Sequence, residues 1–186
     1  MFLMMYILWI TRPMHDTWEP PYIERAEDVR PTSGPPVNIA CIGDSMTRGT
    51  YRPHSDYDLN YPNYLRYFIN DYNYTVVNYA GNGACANKGM DCYYGKYPEF
   101  KRAVASNPDI VVLMIGSNDF FKKNWEDENR FVEGYRDLVM SFMNYTKKAP
   151  QVYLLIPPPV PVYKDKQVLF DVNDEALPRI IRQIGH

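Results

Sequence analysis

The sequence predicts an α/β protein, a three-layer α/β/α sandwich with a mainly parallel sheet. Two patterns favour this class: short runs rich in Val, Ile and Leu, mostly bounded by Gly, Pro or Asn, and longer segments of helical periodicity that alternate with them. The chain has 186 residues, 46% of them hydrophobic, which is enough for one domain with a sizeable core. We therefore expect a single domain.

Residues 1–36 are predicted to precede that domain, which occupies residues 37–186. The apolar run 2–10 is far too short to span a membrane. It is compatible with a short signal-peptide core or the stub of a signal anchor, although it lacks a basic start and a clear cleavage site. Prolines between residues 11 and 36 favour an extended linker. We expect a secretory or extracellular protein.

Four segments are predicted to be strands: 37–42, 74–79, 110–115 and 152–156. Helices are predicted between and after them. In the first helix, one face carries Tyr61, Tyr64, Leu65, Phe68 and Ile69, with Pro62 in the first turn. Further helices are predicted over 98–105, 126–147 and 174–184. The face of the 126–147 helix carries Phe131, Tyr135, Leu138, Val139, Phe142 and Met143, and Pro178 limits the regularity of the last helix.

The charge pattern excludes some partners. The formal net charge is −2 and the basic residues are scattered, so nucleic acid is an unlikely partner. The cysteines Cys41, Cys85 and Cys92 match no zinc spacing, and we expect no metal and no cofactor. Cys41 is predicted to be a buried thiol, whereas Cys85 and Cys92 could close a small loop in an oxidising compartment. The tripeptides at Asn73 and Asn144 are glycosylation sequons.

Small polar turns follow the first three predicted strands: Gly-Asp-Ser at 43–45, Ala-Gly-Asn-Gly at 80–83 and Gly-Ser-Asn-Asp at 116–119. Any one of them could be an ordinary strand-to-helix turn, because such turns favour these residues. Open parallel sheets, however, bind ligands at the carboxyl ends of their strands, where all three turns converge. Together they indicate a site.

Serine ester hydrolysis fits these residues. Ser45 stands where a nucleophile on a rigid turn is needed, while the backbone N–H of Gly83 and the side-chain amide of Asn118 can donate to an oxyanion. Asp44 and Asp119 are predicted to fix their turns rather than to act as bases. The spacing of glycines and lysines fits neither a phosphate loop, nor a dinucleotide fingerprint, nor a Gly-x-Ser-x-Gly elbow.

The motifs GDSMTRG, VNYAGNG and IGSND resemble, in order and spacing, the first three blocks of the SGNH or GDSL hydrolases. The stretch KYPEFKRAVASNPDIVVLMIGSND and the later VYLLIPPPV are similar to the sialate O-acetylesterase-like, or carbohydrate esterase, branch. The resemblance covers about residues 37–184. It implies a flavodoxin-like fold, an acylated carbohydrate substrate, Ser45 as nucleophile, and an oxyanion hole formed by Ser45, Gly83 and Asn118.

The family also carries an Asp-x-x-His block that supplies the general base, and this block is absent from the sequence, which we expect to be truncated before the last strand and helix. His15, His54 and His186 are poor substitutes, so the base is unknown. Two alternatives stay open: an inactive module that binds acylated glycans, and a splice form with no stable fold. Possible sugar-stacking residues are Tyr93, Tyr94, Trp125 and Tyr163.

Overall fold

The computed structural model describes residues 34–49, 60–69, 73–159 and 168–185. Four strands of this part form one sheet in the order β2-β1-β3-β4, and every neighbouring pair is parallel. The strands are β1 (Val37–Gly43), β2 (Tyr74–Asn78), β3 (Ile110–Met114) and β4 (Gln151–Leu154). The predicted α/β class and all four predicted strands are confirmed, with small shifts at the strand ends.

Five α-helices accompany the sheet in the described residues: α1 (Ser45–Arg48), α2 (Tyr61–Ile69), α3 (Pro98–Ala105), α4 (Glu128–Tyr145) and α5 (Leu177–Ile184). The helix predicted over 98–105 is confirmed at both ends. Helix α4 begins two residues later than predicted, because the Asp127 carboxylate accepts from the Arg130 N–H at 2.9 Å and caps the helix there.

Alternation along the strands divides the core into two layers. Ala40, Ile42, Val111 and Leu113 face one side, where they pack with residues of α3, α4 and α5. Ile39, Cys41, Val76 and Val112 face the other side and pack with Leu65 of α2. Helices on both faces of a parallel sheet make the predicted three-layer sandwich.

Two helical faces are narrower than predicted. Phe68 is 53% exposed and Met143 is 40% exposed, so neither belongs to the buried face of its helix. In α2 the core-facing residues are Tyr61, Leu65 and Ile69, a single row at i, i+4 and i+8. Phe68 lies one residue before Ile69, outside this row, and its side chain faces solvent.

The helix predicted over 174–184 is divided. A π-helical segment, Val172–Ala176, precedes α5, and the Leu177 N–H donates to the carbonyl of Val172, five residues back. Pro178 explains the wider turn, since it has no N–H to donate and its ring crowds the preceding carbonyls.

The described part of the chain contains one disulfide, between Cys85 and Cys92, a pairing that the sequence had left open. Cys41 is a buried free thiol, and burial raises its pKa to about 12. Among the described residues there is no helix with the length and apolarity to cross a membrane. The same residues contain no metal-binding cluster of His, Cys, Asp and Glu. The 1–36 segment, apart from its last residues, and Tyr163 lie outside the described ranges.

Candidate active site

Ser45 is the first residue of α1, a single helical turn that follows β1 directly. Asp44 caps this turn, and its Oδ1 accepts from the Met46 N–H at 2.9 Å. The turn ends at Gly49, whose φ is +92°. The predicted nucleophile Ser45 therefore lies between two residues, Asp44 and Met46, that are hydrogen-bonded to each other. Ser45 itself is only partly buried.

Gly43 permits α1 to fold back over the sheet. A Cβ at this position would lie 2.1 Å from Thr47 Oγ1 and 2.5 Å from the Met114 carbonyl oxygen. Only glycine leaves room for both neighbours. The close approach of α1 to β1 and β3 thus depends on one missing methyl group.

The turn after β2, residues 80–83, is hydrogen-bonded to the turn after β1, residues 43–45. The Gly81 N–H donates to the Gly43 carbonyl at 2.9 Å, so the chain after β2 stays beside the end of β1. Gly83 follows with φ of +74°, and a Cβ there would meet nothing within 4 Å. Gly83 is exposed, and its left-handed backbone is one that glycine adopts readily.

The turn after β3, residues 116–119, is hydrogen-bonded to the chain just beyond the turn after β2. Asn118 Nδ2 donates to the Ala84 carbonyl at 2.8 Å, and the Asn118 carbonyl accepts from Asn124 Nδ2 at 2.8 Å. The bond to Ala84 orients the Asn118 side chain and uses one of the two N–H groups of its amide. Register pairs Gly43 with Met114, which places the three turns along one edge of the sheet.

Asp44 also joins the first turn to the third. Its Oδ2 accepts from the Ser117 hydroxyl, and both residues are buried, with 1% and 8% of their surface exposed. Burial raises the pKa of Asp44, while the bonds from Ser117 and Met46 act in the opposite direction. Asp44 supports its own turn, as predicted.

Asp119 supports a different segment from the one predicted. Its carboxylate accepts from the Ala86 N–H, at 2.9 and 3.1 Å to the two oxygens, and from the Asn87 N–H at 2.8 Å. It therefore holds the loop after Gly83 rather than its own turn. Complete burial raises the pKa of Asp119 to about 7, despite the lowering effect of these bonds.

The same loop is anchored to α4. Tyr93 donates its hydroxyl to Asp137 Oδ2 at 2.6 Å, and the backbone of Gly134 packs against Ala86. Tyr93 and Tyr94 are 5% and 0% exposed, so the interpretation of these two residues as a sugar-stacking surface is wrong. Trp125 packs on Phe131, with ring centroids 5.7 Å apart.

A groove of about 280 Å³ lies beside α1. Most of the residues that line it carry polar or charged side chains: Arg48, Asn60, Asn63, Asn78, Ala80, Glu99 and Arg102. The groove meets the edge of the sheet where Arg48 Nη1 donates to the Ala80 carbonyl at 3.4 Å. It thus adjoins the first two turns.

Sequence reasoning selected Ser45, Gly83 and Asn118, which follow three neighbouring strands, but it missed Ser117. A hydroxyl beside Asn118 was visible in the sequence, yet nothing there pairs it with a carboxylate 73 residues away. The described residues include no histidine, since His15, His54 and His186 all lie outside them.

Comparison with known proteins gives a family match over most of the chain. A family model described as GDSL-like Lipase/Acylhydrolase matches residues 39–181. An acetylxylan esterase of Xylanibacter ruminicola is 29% identical over 169 residues. The aligned region is 80% of this chain and 35% of that relative, so the chain spans about a third of its length.

Solved structures share the fold. A carbohydrate acetylesterase family member from Sinorhizobium meliloti has a TM-score of 0.64 at 19% identity, covering 80% of this chain and 78% of that one. The acetylxylan esterase Axe2 of Geobacillus stearothermophilus has a TM-score of 0.56 at 22% identity, covering 82% and 73%. At these identities the likeness shows the arrangement of strands and helices only.

Proposed function

The chain belongs to the GDSL-like lipase/acylhydrolase family, and we propose that it is a serine ester hydrolase that removes acetyl or other short acyl groups from carbohydrates. One observation carries the proposal. Hydrogen bonds join the turns that hold Ser45, Gly83 and Asn118 along a single edge of the sheet. These are the nucleophile and donors that acyl transfer requires.

The chemistry proceeds in two stages in this proposal. Ser45 Oγ attacks the ester carbonyl carbon and loses its proton to a general base, while the N–H groups of Ser45, Gly83 and Asn118 Nδ2 donate to the carbonyl oxygen as it becomes negative. Collapse of the tetrahedral intermediate breaks the ester C–O bond, and the protonated base gives its proton to the leaving sugar oxygen, which departs as a hydroxyl. Water then attacks the acyl-serine, releasing the carboxylic acid and restoring Ser45.

The carbohydrate part of the proposal is supported by the groove beside α1. Its side chains offer amide and guanidinium groups, which can hydrogen-bond to sugar hydroxyls. The acetylxylan and carbohydrate esterases among the similar proteins support the same substrate class.

Kinetics on the Ser45→Ala variant test the nucleophile. We expect turnover of p-nitrophenyl acetate and of acetylated xylo-oligosaccharides to fall by roughly 10⁴-fold or more, to the background left by binding and the oxyanion donors. Ser141→Ala is a matched control, because Ser141 lies on α4 and donates to Asp137 rather than to the site. Equal activity of Ser45→Ala and wild type would remove Ser45 from the mechanism.

A second function stays open because the sequence contains no Asp-x-x-His block to supply a general base. A site that lacks a base would bind acylated sugars without cleaving them. Calorimetric titration of wild type with an acetylated oligosaccharide separates the two functions. Binding with no acetate release supports the binding module, whereas acetate release that Ser45→Ala abolishes supports the hydrolase.

A further inference from the structure

We propose that Ser117 is a positioning residue for the acyl-transfer site, coupling the turn that carries Ser45 to the turn that carries Asn118 through the buried Asp44 carboxylate. The kinetic part of this inference rests on the proposed hydrolase function. The structural part, that the two turns are coupled, stands independently of turnover.

The first step of the argument concerns the two oxygens of Asp44. Oδ1 accepts from the Met46 N–H and Oδ2 accepts from the Ser117 hydroxyl. Ser45 lies between Asp44 and Met46, so the hydrogen bond between these two residues helps to fix the backbone on both sides of Ser45. Rotation of the Asp44 carboxylate would break this bond and loosen the turn that carries the predicted nucleophile.

The second step concerns the neighbour of Ser117. Asn118 follows it directly and donates through Nδ2 to Ala84, one residue beyond Gly83. The Ser117 hydroxyl therefore binds the first turn, while the next residue, Asn118, binds the chain just beyond the second turn. Loss of the hydroxyl bond would free the third turn to shift relative to Ser45.

The third step is burial. Asp44 and Ser117 are 1% and 8% exposed, so water has little access to replace the hydroxyl if it is removed. A buried carboxylate that loses a donor is left poorly solvated and favours another orientation. Reorientation of this kind is costly to catalysis, because a displacement of about 1 Å from the productive geometry can reduce the rate roughly 100-fold.

Kinetics on Ser117→Ala, Ser117→Thr and Ser141→Ala test the catalytic part. We expect Ser117→Ala to lower kcat by roughly 10- to 100-fold with KM little changed, since the sugar-binding groove lacks Ser117. Ser117→Thr keeps the hydroxyl and should recover most of kcat, and Ser141→Ala should match wild type. A folded Ser117→Ala enzyme with wild-type kcat would overturn the proposal.

A double-mutant cycle identifies Asp44 as the partner. If Ser117 acts through Asp44, Asp44→Asn and Ser117→Ala should each lower kcat, and the double variant should be little worse than the more damaged single variant. Additive losses in kcat would show that Ser117 acts by another route and would overturn the coupling.

Hydrogen exchange tests the structural part without turnover. In Ser117→Ala the amides of residues 43–49 should exchange faster, together with those of 115–120, and Ser117→Thr should restore protection in both segments. Faster exchange confined to 115–120 would refute the coupling. If wild type shows no hydrolysis, the proposed function fails on that result, while hydrogen exchange still decides whether Ser117 joins the two turns.

Discussion

At the scale of single residues, two buried carboxylates lie directly beneath the candidate site. Asp44 accepts donors from the first and third turns, and Asp119 accepts from the loop after Gly83. Neither has a cationic partner among the described residues, since no ion pair there includes them. Asp44 is instead hydrogen-bonded by a backbone N–H and a hydroxyl, and Asp119 by backbone N–H groups. Burying these two carboxylates therefore costs desolvation free energy.

That cost predicts a pH dependence of stability. The pKa of Asp119 rises from 3.8 to about 7 on folding. Between these values the unfolded chain has lost the proton and the folded chain retains it, so the contribution of Asp119 to stability falls as pH rises. The fall should reach about 4 kcal/mol at pH 7 and then stop.

Urea unfolding of wild type and Asp119→Asn from about pH 4 to about pH 8 measures this contribution. The difference in free energy of unfolding between the two should change in favour of the variant as pH rises. Asp119→Asn loses some hydrogen-bond acceptor capacity at every pH. This loss shifts the free energy of unfolding of the variant by a constant amount and does not change how it depends on pH. Parallel curves would contradict the raised pKa.

At the scale of elements, the loop 84–93 is held on three sides. The Cys85–Cys92 disulfide closes it, Asp119 binds its backbone, and Tyr93 and Gly134 attach it to α4. Only the disulfide was predictable from the sequence, from the proximity of the two cysteines. Glycine is unfavourable within a helix. Nothing in the sequence around Gly134 shows that the backbone of the loop lies against it.

Gly134→Ala should therefore destabilise the protein. Alanine is favoured over glycine within a helix by about 1 kcal/mol, but its Cβ would lie 2.0 Å from the Ala86 carbonyl oxygen and 2.8 Å from the Lys88 nitrogen. Both obstacles are backbone, so we expect a net loss of about 2 kcal/mol or more, measured by urea unfolding. Met140→Ala, at an exposed position of the same helix, is the control and should change stability little.

Removal of the disulfide should also be measurable. The bond closes a loop with a sequence separation of 7, for which loss of the cross-link costs about 2–3 kcal/mol in the chain-entropy estimate. Cys85→Ala with Cys92→Ala should lower the free energy of unfolding by about this amount and reduce turnover, because the loop begins beside Gly83. A reducing agent should then have no further effect on the variant. Equal stability of variant and wild type would show that Asp119 and Tyr93 suffice.

At the scale of the whole molecule, sequence patterns were sufficient for the fold class, the strands and the family, all of which are confirmed. Buried parallel strands can be predicted from the sequence because a short, continuous apolar run bounded by turn residues is typical of such a strand. Pro178 indicated an irregular last helix, but the sequence did not show that the irregularity is a π-helical segment. The exposure of Phe68 was not predicted either, because helical periodicity alone does not fix how wide the buried face is.

The ion pairs of the described residues predict a weak dependence on salt. They lie at the surface, and none of the side chains in them is less than 21% exposed. Exposed pairs contribute about 0–1 kcal/mol each and are screened. Raising NaCl from about 0.05 to about 0.5 M should change the free energy of unfolding by no more than about 1–2 kcal/mol. A larger loss would reveal an electrostatic network.

The strand order β2-β1-β3-β4 has a consequence for synthesis on the ribosome. Of the four described strands, β1 emerges first, and each later strand adds to an edge that already exists: β2 on one side, β3 on the other, and β4 beside β3. None of these four strands has to insert between two that are already paired. The sheet can therefore grow outward in the order in which it is translated, and the Ser45 turn is present before either of the turns that bond to it.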